Sequence, residues 1–187
     1  KGGGRSEFHG KGRGRSGAAR QQDRYRPLGR PEVLKVLQSQ DMLPAITFIF
    51  SRAGCDGALY QCLRSRMVLT SQEEAQQIKD IVDAGVEGIP EEDLQVLDFK
   101  RWREALSRGF AAHHAGMLPA FRHIVEDLFV RGLVRAVFAT ETLALGINMP
   151  ARTVVLEKLI KFNGEAHVDL TPGQYTQLTG RAGRRGI

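Results

Sequence analysis

The sequence predicts an α/β fold with a mostly parallel sheet flanked by helices. Two observations carry the prediction. Pro44-Ala45-Ile46-Thr47-Phe48-Ile49-Phe50 is continuous in apolar, β-branched and aromatic residues, as a strand buried on both faces requires, and Val134 to Ala139 reads the same way. Helical segments alternate with these runs and with a further strand at Thr153 to Glu157, giving helix, strand, helix, strand, helix, strand, helix. Strands separated by helices pair in parallel, because each connection must cross a face of the sheet.

Residues 1–30 precede this pattern and read as a flexible basic linker. Seven glycines fall in the first 17 residues, among scattered arginines and few apolar side chains. Such a segment buries too little surface to offset its ordering entropy, so it is either a solvated linker or a nonspecific contact to nucleic acid. Gly10-Lys11-Gly12 is no phosphate-binding loop: Gly4 lies one residue too far away, no Ser or Thr follows Lys11, and no strand precedes it.

Order is expected from Pro31, so the domain spans 31–187. Val33, Leu34 and Leu37 have helical spacing, and the strand 44–50 follows. Ser51-Arg52-Ala53-Gly54 then leads into a helix carrying Leu59, Cys62 and Leu63. Ligands of open α/β sheets bind outside the carboxyl ends of the strands. Ser51 and Arg52 therefore either meet a ligand or belong to an ordinary loop. Ser71-Gln72-Glu73-Glu74 is a capping box that opens a helix with Ile78, Ile81 and Val82. Beyond the break at Gly88-Ile89-Pro90, the positions Leu94, Leu97, Trp102 and Leu106 predict one further helix, with Trp102 in the core.

Phe110 to Gly116 reads as a short strand and turn containing His113 and His114. Adjacent strand residues point to opposite faces, and no HxxxH or Cys/His cluster accompanies them, so no metal site is expected. A polar contact or a satisfied core histidine remains for each. Leu118-Pro119 opens an amphipathic helix stopped by Gly132. The loop after the strand 134–139 is chemically rich, with hydroxyls at Thr140 and Thr142, a glycine suited to close approach at Gly146 and an amide at Asn148.

The C-terminal stretch opens as a helix, with Thr171 as cap, Pro172 in the first turn and Gln174 reaching back. At a step of about 100° per residue, Gln177, Arg181, Arg184 and Arg185 share a face within about 60° of Arg181. Tyr175, Leu178 and Ala182 fall together on the neighbouring apolar face. Gly180 and Gly183 remove side chains where a ligand or a facing domain would come close. The basic face either receives an anion or is a solvated helix end complementing the dipole.

Charge is unevenly divided. Residues 1–30 hold nine Lys/Arg against two acidic residues, a net +7 within a total of +6, so residues 31–187 are close to neutral. Nucleic-acid binding by the domain would therefore depend on local placement of side chains. No apolar run approaches the roughly 18 residues of a membrane span, and the N-terminal residues contain no hydrophobic signal core. Cys55 and Cys62 lie seven apart, on one helical face and too far along the axis for a disulfide, so both read as buried free thiols in a reducing compartment. The expected localisation is cytoplasmic.

Four segments taken in order carry a family resemblance: Phe50-Ser51-Arg52; His113-His114-Ala115-Gly116-Met117; Ala139-Thr140-Glu141-Thr142-Leu143-Ala144 with Gly146-Ile147-Asn148-Met149-Pro150-Ala151; and Gln177 followed by Gly180-Arg181-Ala182-Gly183-Arg184-Arg185-Gly186. They resemble the second RecA-like domain of superfamily 2 DExH-box helicases, in the superkiller and exosome-associated branch and most closely the bacterial HelY type. Phe162-Asn163-Gly164 is also similar to that branch. The resemblance implies a RecA-like three-layer sandwich and a helicase driven by ATP with magnesium. It implies that Arg181 and Arg184 are arginine fingers and that Gln177 helps organise the γ-phosphate and attacking water. Gly146 and Asn148 would reach the nucleotide, with Gly180 and Gly183 beside it. Ser51, Arg52, His114, Gly116, Thr140 and Thr142 would hold the backbone of a single strand of RNA or DNA, with RNA favoured.

No GxxxxGK[ST] and no DExH segment occurs in the 187 residues. The resemblance assigns the phosphate loop and the metal-holding residues to a first RecA-like domain of the same polypeptide, and implies that this piece alone is inactive. It implies no membrane and no obligate oligomer. The alternative is a non-catalytic nucleic-acid-binding or protein-interaction module on the same fold.

Overall fold

The computed structural model describes residues 28–140 and 149–157, and the backbone of 160–162 and 167–169. Helix α1 (Arg30–Ser39) starts where Pro31 suits the first turn and Glu32 accepts the Gly29 amide at 3.1 Å, and it buries Leu34 and Leu37. Strand β1 (Ala45–Phe48) is buried at all four positions. It is shorter than the apolar run 44–50, because the chain leaves the sheet at Ile49 to reach the cap of α2 (Arg52–Arg64). Cys55 and Cys62 are both fully buried free thiols on α2, as their spacing predicts.

Helix α3 (Gln72–Gly85) carries the expected capping box: Ser71 Oγ accepts the Glu74 amide at 3.1 Å, and Glu74 Oε1 accepts the Ser71 amide at 3.0 Å. The single helix expected after Pro90 is two. Helices α4 (Glu91–Val96) and α5 (Phe99–Ser107) are separated by Asp98, whose φ of 53° is left-handed. Aspartate tolerates that conformation, so no glycine marks the break. Trp102 on α5 is buried as predicted and stacks on Phe121 with ring centroids 4.1 Å apart.

Strand β2 (Phe110–His113), helix α6 (Pro119–Val130) and strands β3 (Ala136–Ala139) and β4 (Thr153–Leu156) complete the alternation. Gly132 ends α6 with φ +75°. The four strands form one all-parallel sheet in the order β2-β3-β1-β4, which is the predicted RecA-like α/β class. The register is flush: Phe48, Ala139, His113 and Leu156 stand in one row at the carboxyl ends. Helix α2 packs on β2 and β3, α5 and α6 pack on β2, and α3 packs on α5 and α6. Two short strands, β5 (Ile160–Phe162) and β6 (His167–Asp169), pair antiparallel as a separate ribbon that the alternation did not predict.

Among the described residues, no helix is long and apolar enough to cross a membrane. The expected helix from Thr171 and residues 1–27 of the expected linker 1–30 lie outside the described residues, and α1 already begins at Arg30.

Candidate nucleic-acid interface

Parallel strands deliver the residues that follow β1, β3 and β2 to one edge of the sheet, side by side. After β1, Ser51 caps α2, its Oγ accepting the Gly54 amide at 3.1 Å. That bond leaves the hydroxyl proton available to a ligand acceptor. Gly54 is required here, since a Cβ on it would lie 2.7 Å from Ile49 Cγ2. Arg52, the first residue of α2, is exposed and makes no hydrogen bond or ion pair among the described residues.

After β2, His114 is held at both ring nitrogens. Its Nδ1 accepts the Gly116 amide at 3.1 Å, and its Nε2 lies 2.9 Å from Asp56 Oδ1 on α2. A backbone amide can only donate, so Nδ1 is the lone-pair nitrogen and Nε2 carries the proton given to Asp56. Gly116 sits tightly between the two loops. A Cβ there would lie 3.1 Å from His114 Nδ1 and 3.3 Å from Arg52 Cδ. The structure thus brings Arg52, His114 and Gly116 into one cluster with Ser51 beside it.

His113 engages a different helix, with Nε2 2.8 Å from Glu126 Oε1 on α6. Burial holds its pKa below the usual histidine value, against the opposing pull of Glu126. Its Nδ1 has no partner among the described residues. The two histidines are polar contacts, and no group of His, Cys, Asp or Glu among the described residues could hold a metal ion.

After β3, the Thr140 amide donates to the His113 carbonyl at 3.3 Å, and Thr140 is buried. Thr142, Gly146, Asn148, Gln177, Gly180, Arg181, Gly183 and Arg184 lie outside the described residues. Sequence reasoning missed Asp56. Its only signal is the spacing of four from Arg52, which puts both on one face of α2.

Comparison with known proteins adds the family. Residues 91–186 match the helicase conserved C-terminal domain. The chain belongs to that family. It is 68% identical over 163 residues to the probable helicase HelY of Mycobacterium tuberculosis, covering 87% of this chain and 18% of that protein. It is 36% identical over 157 residues to the antiviral helicase SKI2 of Saccharomyces cerevisiae, covering 84% of the chain and 12% of the relative. To the DExH-box ATP-dependent RNA helicase DExH15, chloroplastic, of Arabidopsis thaliana it is 47% identical over 155 residues, covering 81% and 12%. The chain therefore spans less than a fifth of each of these helicases. The resemblance to a second RecA-like domain of the superkiller branch of superfamily 2 is supported by the domain match and by these relatives together.

Proposed function

We propose that this helicase C-terminal domain is the strand-gripping and arginine-supplying half of an ATP-dependent helicase acting on single-stranded nucleic acid. The observation that supports it most directly is the convergence of Ser51, Arg52, His114, Gly116 and Thr140 at the carboxyl ends of β1, β2 and β3. A hydroxyl, a free guanidinium and a small-residue turn suit a phosphate-sugar backbone, because they grip it without reading bases. Thr142 extends the same row in sequence. RNA is the favoured substrate, since one relative is named an RNA helicase.

In this reading ATP with magnesium is held by a first RecA-like domain of the same polypeptide. The described residues do not fit that group: they contain no acidic cluster for the metal. This chain's part is to present Arg181 and Arg184 to phosphoryl oxygens that gain charge in the transition state, where cations delivered from a facing domain act strongly. Gln177 orients the attacking water, and Gly146, Asn148, Gly180 and Gly183 shape the closed nucleotide site. The 187-residue chain (linker 1–30 and domain 31–187) hydrolyses no ATP alone.

The test is made in the full-length protein. Arg184→Ala, and separately Arg181→Ala, lowers ATP turnover by about a thousandfold or more while nucleotide Kd stays within a few-fold. Loss of nucleotide binding in step with turnover contradicts the finger role.

A further inference from the structure

Strands β1 and β2 are not neighbours, because β3 lies between them, yet the loops that follow them meet at Gly116 and Arg52. Something must fix their separation if both are to hold one strand of nucleic acid. Among the described residues, one side-chain hydrogen bond joins them at the site: Asp56 on α2 with His114 after β2, 58 residues apart in sequence, at 2.9 Å.

We propose that Asp56 is a positioning residue for the strand-gripping site. By accepting the Nε2 proton, Asp56 selects the His114 tautomer whose Nδ1 can accept the Gly116 amide. The turn 114–117 is thereby fastened to α2 one turn on from Arg52, on the same helix face. The Met117 amide donates to the His114 carbonyl at 3.2 Å and closes the same turn. His114 is a brace here, since neither ring nitrogen is left over for a phosphate. The charged groups facing the brace are Asp56 and Arg52 from α2, with His113 adjacent in the chain. The Asp56 side chain is 49% exposed, so it can be replaced without opening a cavity.

The inference rests on the strand-gripping reading and makes a prediction opposite in sign to simple electrostatics. Deleting a carboxylate beside an anion-binding site ordinarily tightens anion binding, by removing repulsion. Deleting the Asp56 acceptor should weaken it, because the Gly116 turn loses its fixed distance from Arg52.

The experiment uses the full-length protein and a single-stranded RNA oligonucleotide, with Kd measured across a salt series. Asp56→Leu, close in shape and without an acceptor, is expected to raise Kd by about three- to tenfold, the equivalent of one hydrogen bond. Asp56→Ala serves as the second deletion, and thermal melting checks that both fold. Asp56→Asn keeps an acceptor oxygen and restores the affinity. The slope of log Kd against log salt stays unchanged in all three, since Asp56 touches no phosphate. Arg52→Ala, by contrast, flattens that slope by about 0.7 for a single strand. The KM for RNA in stimulated ATP hydrolysis should rise with kcat unchanged. Tighter or unchanged binding by Asp56→Leu and Asp56→Ala, with Arg52→Ala still flattening the slope, overturns the positioning role alone. An unaltered Kd and slope in Arg52→Ala overturns the strand-gripping reading itself.

Discussion

Gly54→Ala is expected to destabilise the fold, although alanine is the better helix former. Gly54 is the third residue of α2, and an added Cβ would lie 2.7 Å from Ile49 Cγ2, well inside van der Waals contact. Ile49 is 7% exposed and β-branched, so its methyl has one preferred χ1 and little room to retreat. Overpacking of this kind costs about 1–3 kcal/mol. The gain in helix propensity offsets at most about 1 kcal/mol. With the full offset the net loss is up to about 2 kcal/mol, a fall in Tm of up to about 8 °C for a chain of this size. Urea unfolding followed by the fluorescence of the sole tryptophan, Trp102, reads the change directly. The second arm of the experiment is the pair Ile49→Ala and Ile49→Ala/Gly54→Ala. Removing Cγ2 removes the clash, so adding Gly54→Ala to Ile49→Ala should be neutral or stabilising. A wild-type background in which Gly54→Ala raises the urea midpoint refutes the reasoning, as does an equal loss in both backgrounds.

Two further predictions come from the titrating groups. His113 has a lowered pKa in the fold, so near pH 6 the unfolded chain binds a proton that the native protein does not. Stability therefore drops as pH falls through the ordinary histidine value and levels off below the folded pKa. The urea midpoint at pH 8 should exceed that at pH 5.5, and His113→Gln should remove most of that step; an undiminished step assigns it elsewhere. Burial pushes the thiols of Cys55 and Cys62 up to about 12, so at pH 8 almost none of either is thiolate. A disulfide reagent should find no fast-reacting thiol in the native protein and two in denaturant, and rapid native labelling of either would contradict their burial.

The fold was legible in the sequence where a local pattern carried it. The Ser71/Glu74 capping box, the buried run around β1 and the glycine stop at Gly132 are all local signals, and each appears in the structure. The break at Asp98 was not legible, because a left-handed aspartate leaves no mark on an otherwise helical pattern. The three-residue strands β5 and β6 are too short to show a period. At the site, the motifs named Ser51, Arg52, His114 and Gly116 in advance, and the structure gathers them. Asp56 and Glu126 were hidden for a different reason: each acts through a histidine on another element, and such pairings exist only once the chain has folded. The residues at 141–148 and 170–187 lie outside the described residues, so their sequence motifs remain the basis of the roles proposed for them.

The flush register of the sheet has a mechanical consequence. Phe48, Ala139 and His113 end their strands in one row, and neighbouring strands stand about 4.8 Å apart. The three loops therefore spring from a level comb about 10 Å across, whose pitch is set by backbone hydrogen bonds. No side-chain substitution within the strands alters that pitch unless it slips the register. In the strand-gripping proposal, variation among helicases with this sheet retunes how hard each tooth holds and where its tip stands, through positions such as Arg52 and Asp56, while the spacing of the roots stays constant.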